Sequence, residues 1–258
     1  MKQVKQSSKA HIALPFLCLF CMAAIGALVF WMSGGTISLA QPQAAEASSQ
    51  DEQASSSENS GTTSAAGFFL ERTIFIGDSR THGLSTYGYL PEDRVYAVDG
   101  SNQQTIQQQA FIDMGDGRLK TIGQALAISK PQNVLLAFGI NGLPSLDETT
   151  FLEEYRNLVS IVKKSSPQSK IYIQAILPVS SAQELNVPKM SNRRIDAFNA
   201  LLKEYAQQEG YVFLDFSDAL KNNNNALASQ YDAGDGLHFN STAYQRILAE
   251  LTRLTENS

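Results

Sequence analysis

The chain of 258 residues is 43% hydrophobic and 17% charged, which supplies enough apolar material for a buried core and excludes a fully disordered polymer. A formal net charge of −5, with no basic stripe, excludes a nucleic-acid binder, because neutralising phosphates needs surplus Lys and Arg. Three His (His11, His82, His238) and two Cys leave a multi-ligand zinc site almost nothing to draw on, so no metal is expected.

Residues 1–11 hold Lys2, Lys5 and Lys9 and precede an uncharged, apolar run at 12–32, long enough as a helix to cross a hydrocarbon core of about 30 Å. The stretch that follows lacks Lys and Arg, so the positive-inside bias keeps residues 1–11 cytoplasmic and sends the remainder outside. The expectation is a single-pass anchor in a bacterial cytoplasmic membrane. The alternative is a secreted protein released by signal cleavage after Ser38-Leu39-Ala40, where small residues occupy the −3 and −1 positions. Cys18 and Cys21 both lie inside the apolar run, so no disulfide can staple the exported part. Residues 33–66 are rich in Ser, Ala, Gln, Glu, Gly and Thr and read as a disordered linker. As a coil it would span about 30–35 Å on average. The remaining residues, 67–258, suit one folded domain.

Within that domain five runs have strand character, at 73–76, 95–98, 133–138, 170–176 and 211–215. They are apolar throughout instead of alternating, the mark of strands covered on both faces in a parallel sheet. Helical spacing appears between them, in Phe151, Leu152, Tyr155, Leu158, Val159 and Val162, then over 195–208, and again over 242–254 at the end. This βαβα order predicts a doubly wound α/β fold, in which functional groups gather beyond the carboxyl ends of the strands. Four segments occupy those places: Gly77-Asp78-Ser79-Arg80, Asp99-Gly100-Ser101, Gly139-Ile140-Asn141-Gly142 and Asp235-Gly236-Leu237-His238.

Their chemistry fits together. Ser79, at a sharp strand end, is a candidate nucleophile, and a Ser hydroxyl needs a base such as His to take its proton. His238 is that candidate, with Asp235 three residues earlier to orient its ring. The backbone N–H groups of Ser79 and Gly100 and the Asn141 amide are candidate donors to an oxyanion. Arg80 and His82, beside the nucleophile, are candidate substrate contacts. Each has a duller competitor: Ser79 as a helix cap, Asn141-Gly142 as a turn, Arg80 as a solvated surface charge. The segment 178–192, polar and proline-bounded, is a candidate substrate rim.

The blocks Ile76-Gly77-Asp78-Ser79, Gly100, Gly139-x-Asn141 and Asp235-x-x-His238 resemble, in order, those of the SGNH (GDSL-type) hydrolases, a family of serine esterases and acyl hydrolases. The resemblance covers the whole exported domain. It departs from many members at Gly142, where an Asp commonly follows the Asn. It implies a three-layer α/β/α sandwich around a five-stranded parallel sheet of flavodoxin type. It also carries nucleophile, acid and base onto Ser79, Asp235 and His238, and the oxyanion donors onto Ser79, Gly100 and Asn141. The Gly-x-Ser-x-Gly elbow of the α/β-hydrolases is absent, since Arg80-Thr81 follows Ser79.

The expected function is an extracytoplasmic esterase that needs no cofactor. Export favours as substrate an acylated envelope glycan, with O-acetyl groups the leading instance. Two alternatives stand beside it: an acyltransferase using the same acyl-enzyme, and a non-catalytic module that binds glycans on the cell surface.

Overall fold

The structure is a computed structural model and describes residues 65–256. The expected membrane span at 12–32, both cysteines and the linker as far as residue 64 lie outside the described residues. Among the described residues no helix is long and apolar enough to cross a membrane.

The first helix, α1 (Ala65–Glu71), runs into strand β1 (Thr73–Gly77), and helix α2 (Ser79–Thr86) begins after one intervening residue. Next come β2 (Val95–Ala97), a short antiparallel pair β3 (Ile112–Asp113) and β4 (Leu119–Lys120), and helix α3 (Ile122–Ser129). The chain continues through β5 (Asn133–Ala137), α4 (Glu148–Ser165), β6 (Lys170–Gln174), α5 (Ser181–Asn186), α6 (Asn192–Glu209), β7 (Val212–Leu214) and α7 (Ser241–Glu256).

Five strands form one parallel sheet in the order β2-β1-β5-β6-β7. The order reverses beside β1, so the crevice at a topological switch point opens between the carboxyl ends of β1 and β5. Register aligns those ends, with Gly77 opposite Ala97 on one side and Ala137 on the other. The loops that follow β1, β2 and β5 therefore start side by side.

Successive strand residues face opposite layers. Ile74, Ile76, Val134, Leu136, Ile171 and Ile173 pack with the inner faces of α3, α4 and α6. Phe75, Leu135, Tyr172 and Leu214 pack with α1, α2 and α7. Both faces are covered, which is why the strand sequences carry no polar alternation.

Helix α4 shows how the sequence sets these layers. Asp147 accepts the N–H of Thr150 at 2.8 Å and caps the start, while Lys163 and Lys164 lie in the last turn, where cations complement the helix dipole. Phe151, Tyr155, Leu158, Val159 and Val162 recur at helical spacing and are all buried. Phe151 meets Phe198 of α6 edge to face, with centroids 4.6 Å apart.

Several elements fall outside the expectation. Helix α1 begins at Ala65, inside the segment read as linker, because Phe69 finds a buried seat edge to face against Tyr172 at 5.0 Å. The pair β3 and β4 and the eight-residue α3 are too short to show a period, although Thr121 and Gln124 form a capping box. The segment 178–192, read as a candidate rim, holds α5, and the Asn192 side chain donates to the Val179 carbonyl at 2.8 Å and accepts its N–H at 2.9 Å.

Phe198 is fully buried between layers. Phe198→Ala is therefore expected to lower the unfolding free energy by about 3–5 kcal/mol, read from denaturant midpoints at unchanged slope.

Candidate active site

The site starts where β1 ends. Asp78 holds an extended backbone and caps α2, its Oδ1 accepting the N–H of Arg80 at 3.0 Å. Gly77 is required here by close approach: a Cβ would collide with the Thr81 side chain and lie 2.8 Å from the Ala137 carbonyl oxygen. The turn can then be tight enough to make Ser79 the first residue of α2, half-buried at the strand end. The capping role weighed for Ser79 thus belongs to Asp78.

The second half of the site is a loop that organises itself. Asp232 and Phe239 form an antiparallel bridge across its base. Asp232 Oδ1 accepts the N–H groups of Gly234 at 2.8 Å and Gly236 at 2.9 Å. Asp235 Oδ1 accepts those of Leu237 at 2.9 Å and His238 at 2.8 Å. The other oxygen, Asp235 Oδ2, lies 2.6 Å from His238 Nδ1. Burial works to raise the Asp235 pKa, but the imidazole hydrogen bond and the two backbone donors prevail and hold it down to about 2. A carboxylate at Nδ1 assigns the ring proton to that nitrogen and leaves Nε2 as acceptor. His238 Nε2 lies 2.9 Å from Ser79 Oγ, 159 positions away in the chain. The pair is open to solvent, with the side chains of His238 and Asp235 40% and 53% exposed.

The loop after β2 supplies the third part. Gly100 has φ of +73°, a left-handed conformation that a side chain would strain. Ser101 Oγ donates to the Val98 carbonyl at 2.7 Å, and Asn141 Nδ2 donates to the Ser101 carbonyl at 2.9 Å. Asn141 thus ties the loop after β5 to the loop after β2 with one amide hydrogen and keeps the other. Among the described residues, no protein group accepts from the backbone N–H of Ser79 or Gly100. The arrangement joins a hydroxyl, a base and an orienting acid, the set that nucleophilic attack on an ester requires. No three His, Cys, Asp or Glu side chains among the described residues gather so as to hold a metal ion.

Of the two residues expected to contact substrate, Arg80 is placed otherwise and His82 remains at the surface. Arg80 turns inward and is 9% exposed. Its guanidinium donates to the carbonyls of Leu237 at 2.9 Å, Leu177 at 2.7 Å and Pro178 at 3.1 Å, and lies 4.6 Å from the Phe239 ring centroid. Burial lowers its pKa to about 10, with Asp78 opposing, so it stays charged at neutral pH. A guanidinium so occupied is no anion receptor. His82 stays at the surface, and its Nδ1 lies 2.9 Å from Asp99 Oδ1. That contact links α2 to the loop carrying Gly100.

Sequence reasoning missed the supports of this loop. Gln104 and Gln107 donate to the Glu154 carboxylate of α4 at 2.9 Å and 3.0 Å. Gln103 is fully buried, its Nε2 donating to the Phe151 carbonyl at 3.3 Å. A run of glutamines in a loop carries no periodic signal that would disclose such anchoring.

Burial pushes the Asp78 carboxyl from its ordinary 3.8 up to about 6, against the pull of the Arg80 guanidinium and N–H. A folded-state pKa above the unfolded one contributes stability that is complete below pH 4 and lost as the pH rises through 6. Asp78→Asn keeps a capping oxygen without the charge. Between pH 4 and pH 7 the wild type is expected to lose up to about 3 kcal/mol relative to this variant, measured by denaturant titration at each pH.

Comparison with known proteins identifies the family and the fold. The profile of the GDSL-like lipase/acylhydrolase family matches residues 75–246. A search of curated proteins finds no match. Among solved structures, the fold is shared with a GDSL-like lipase from Bacteroides thetaiotaomicron, at 17% identity and TM-score 0.56, covering 74% of this chain and 90% of that one. It is also shared with a carbohydrate esterase family 3 protein from Talaromyces cellulolyticus, at 17% identity and TM-score 0.51, covering 72% and 98%. An acetyl esterase mutant with an acetate ion matches at 17% identity and TM-score 0.50, covering 72% and 98%. The chain belongs to the GDSL-like lipase/acylhydrolase family and is a hydrolase acting on ester bonds.

Proposed function

We propose that Ser79 is the nucleophile of a serine esterase, with His238 as its base and Asp235 as the acid that orients the ring. The carrying observation is the unbroken relay from Ser79 Oγ through His238 Nε2 and Nδ1 to Asp235 Oδ2, at 2.9 Å and 2.6 Å. The hydroxyl oxygen attacks the ester carbonyl as its proton passes to Nε2. The negative oxygen that forms meets the N–H groups of Ser79 and Gly100 and the second amide hydrogen of Asn141. The imidazolium returns its proton to the leaving alcohol, and the ester bond breaks to leave an acyl-serine. Water, deprotonated by the same imidazole, then releases the acid and restores the hydroxyl.

The substrate reading is an acylated glycan of the cell envelope, with a short acyl group such as acetyl, met outside the cytoplasmic membrane. Its supports are the apolar run and Lys-biased flank of the amino-terminal sequence and the openness of the acid and base. An open site admits an ester carried on a bulky polymer. The fold likeness to a carbohydrate esterase and an acetyl esterase is consistent with it. Anchoring through residues 12–32 belongs to the same proposal.

Ser79→Ala is expected to abolish both labelling by a fluorophosphonate probe and turnover of a short-chain aryl ester; turnover that persists overturns the nucleophile. Wild-type protein that neither labels nor turns over would favour the glycan-binding module. Released acid replaced by acylated sugar, on adding sugar acceptors, would favour the acyltransferase.

Asp235→Asn is expected to lower kcat by about 10²–10⁴-fold while the protein stays folded. Because Asp235 stays charged down to about pH 2 and Asp78 is the other group that titrates nearby, loss of activity between neutral pH and pH 4 that Asp78→Asn shares with the wild type reports protonation of the base. A rate unchanged over that interval would argue against His238.

A further inference from the structure

Arg80 follows the candidate nucleophile, yet all its side-chain contacts lead elsewhere. Two of them flank the base: the Leu237 carbonyl precedes His238, and the Phe239 ring follows it. Two more, the carbonyls of Leu177 and Pro178, belong to the chain leaving β6. That chain backs the same loop, since Ser180 N–H donates to the Gly236 carbonyl at 2.8 Å. The backbone of Arg80 is held as well: its N–H donates to Asp78 and its carbonyl accepts the Tyr244 hydroxyl at 3.0 Å. One residue thus joins the turn of Ser79, the end of β6 and the loop of His238.

We propose that Arg80 is a positioning residue that sets the separation of Ser79 Oγ and His238 Nε2, by gripping the residues on either side of His238 from the residue beside Ser79. The proposal rests on the esterase reading of Ser79 and His238. The loop of His238 fixes the imidazole to Asp235 by itself, but its placement against Ser79 needs contacts from outside the loop. The guanidinium supplies such contacts. Its planar fork reaches carbonyls in two directions at once while one face stacks on Phe239, a task beyond the single ammonium of Lys. A charged donor to buried carbonyls also makes short, directional bonds that resist drift of the loop. The family is named for a motif that places Leu after the Ser, and a Leu has no donor for any of these carbonyls.

The test uses Arg80→Ala, Arg80→Leu and Arg80→Lys in the full chain, with circular dichroism and melting curves to establish folding. Ester hydrolysis and the rate of fluorophosphonate labelling are measured with and without ethylguanidinium in the tens of millimolar. Misplacing reacting groups by about 1 Å costs about 10²-fold. Folded Arg80→Ala and Arg80→Leu should therefore lose about 10²-fold in kcat and in labelling rate while KM changes less than threefold. Ethylguanidinium should restore Arg80→Ala at least tenfold with saturation and leave the wild type unchanged. A merely structural residue would not give this rescue, because guanidinium ions destabilise folds. Arg80→Lys should fall between wild type and Arg80→Ala in kcat.

Wild-type kcat in a folded Arg80→Leu or Arg80→Lys overturns the proposal. So does a loss confined to KM, which would return Arg80 to substrate binding, and so does a loss in Arg80→Ala that ethylguanidinium leaves unchanged. If Arg80→Ala and Arg80→Leu fail to fold, the kcat of Arg80→Lys decides alone. Persistent turnover by Ser79→Ala is a different result, removing the esterase reading itself.

Discussion

A hydroxyl and an imidazole that meet at 2.9 Å across 159 positions of chain form the contact on which the site depends. Neither partner is rigid alone. Ser79 is fixed because β1 is paired on both sides and because Gly77 lets the backbone turn directly into a capped helix. His238 is fixed to Asp235 because two carboxylates in its loop satisfy four backbone N–H groups. The sheet brings the Ser79 turn to one place, and the loop brings an imidazole already held by its carboxylate to meet it.

The two acids nearest Ser79 have been driven in opposite directions by their surroundings. Asp78 is dry, and burial works against its charge. Asp235 is wet on one side and surrounded by donors on the other, so its charge is secure. Separation of this kind is how one small region assigns different work to like groups. The acid at the imidazole remains an anion able to balance a cation, while the acid beneath the turn serves the helix terminus as a hydrogen-bond acceptor.

Much of this was legible in the sequence. The five strands appear as apolar runs because a doubly covered sheet leaves no face to water, and the long α4, α6 and α7 show the 3.6-residue period over several turns. Ser79, Asp235 and His238 stood out because chemistry restricts which residue types can do that work, and they fall at strand ends. Arg80 and Gln103 were illegible for a shared reason. A charged or amide side chain reads as solvent-facing unless its acceptors are known, and the acceptors here are backbone carbonyls contributed by distant segments. Short α1, α3 and α5 failed for another reason: six to eight residues do not complete enough turns to display a stripe.

Asp235 and His238 lie within one turn of backbone, closed at its base by the bridge between Asp232 and Phe239. The carboxylate and the imidazole thus travel as a cassette. Insertions or deletions between β7 and that bridge leave the cassette's internal hydrogen bonds, all made within 232–239, intact. Divergence among descendants of this chain should accordingly collect in that stretch sooner than within the cassette.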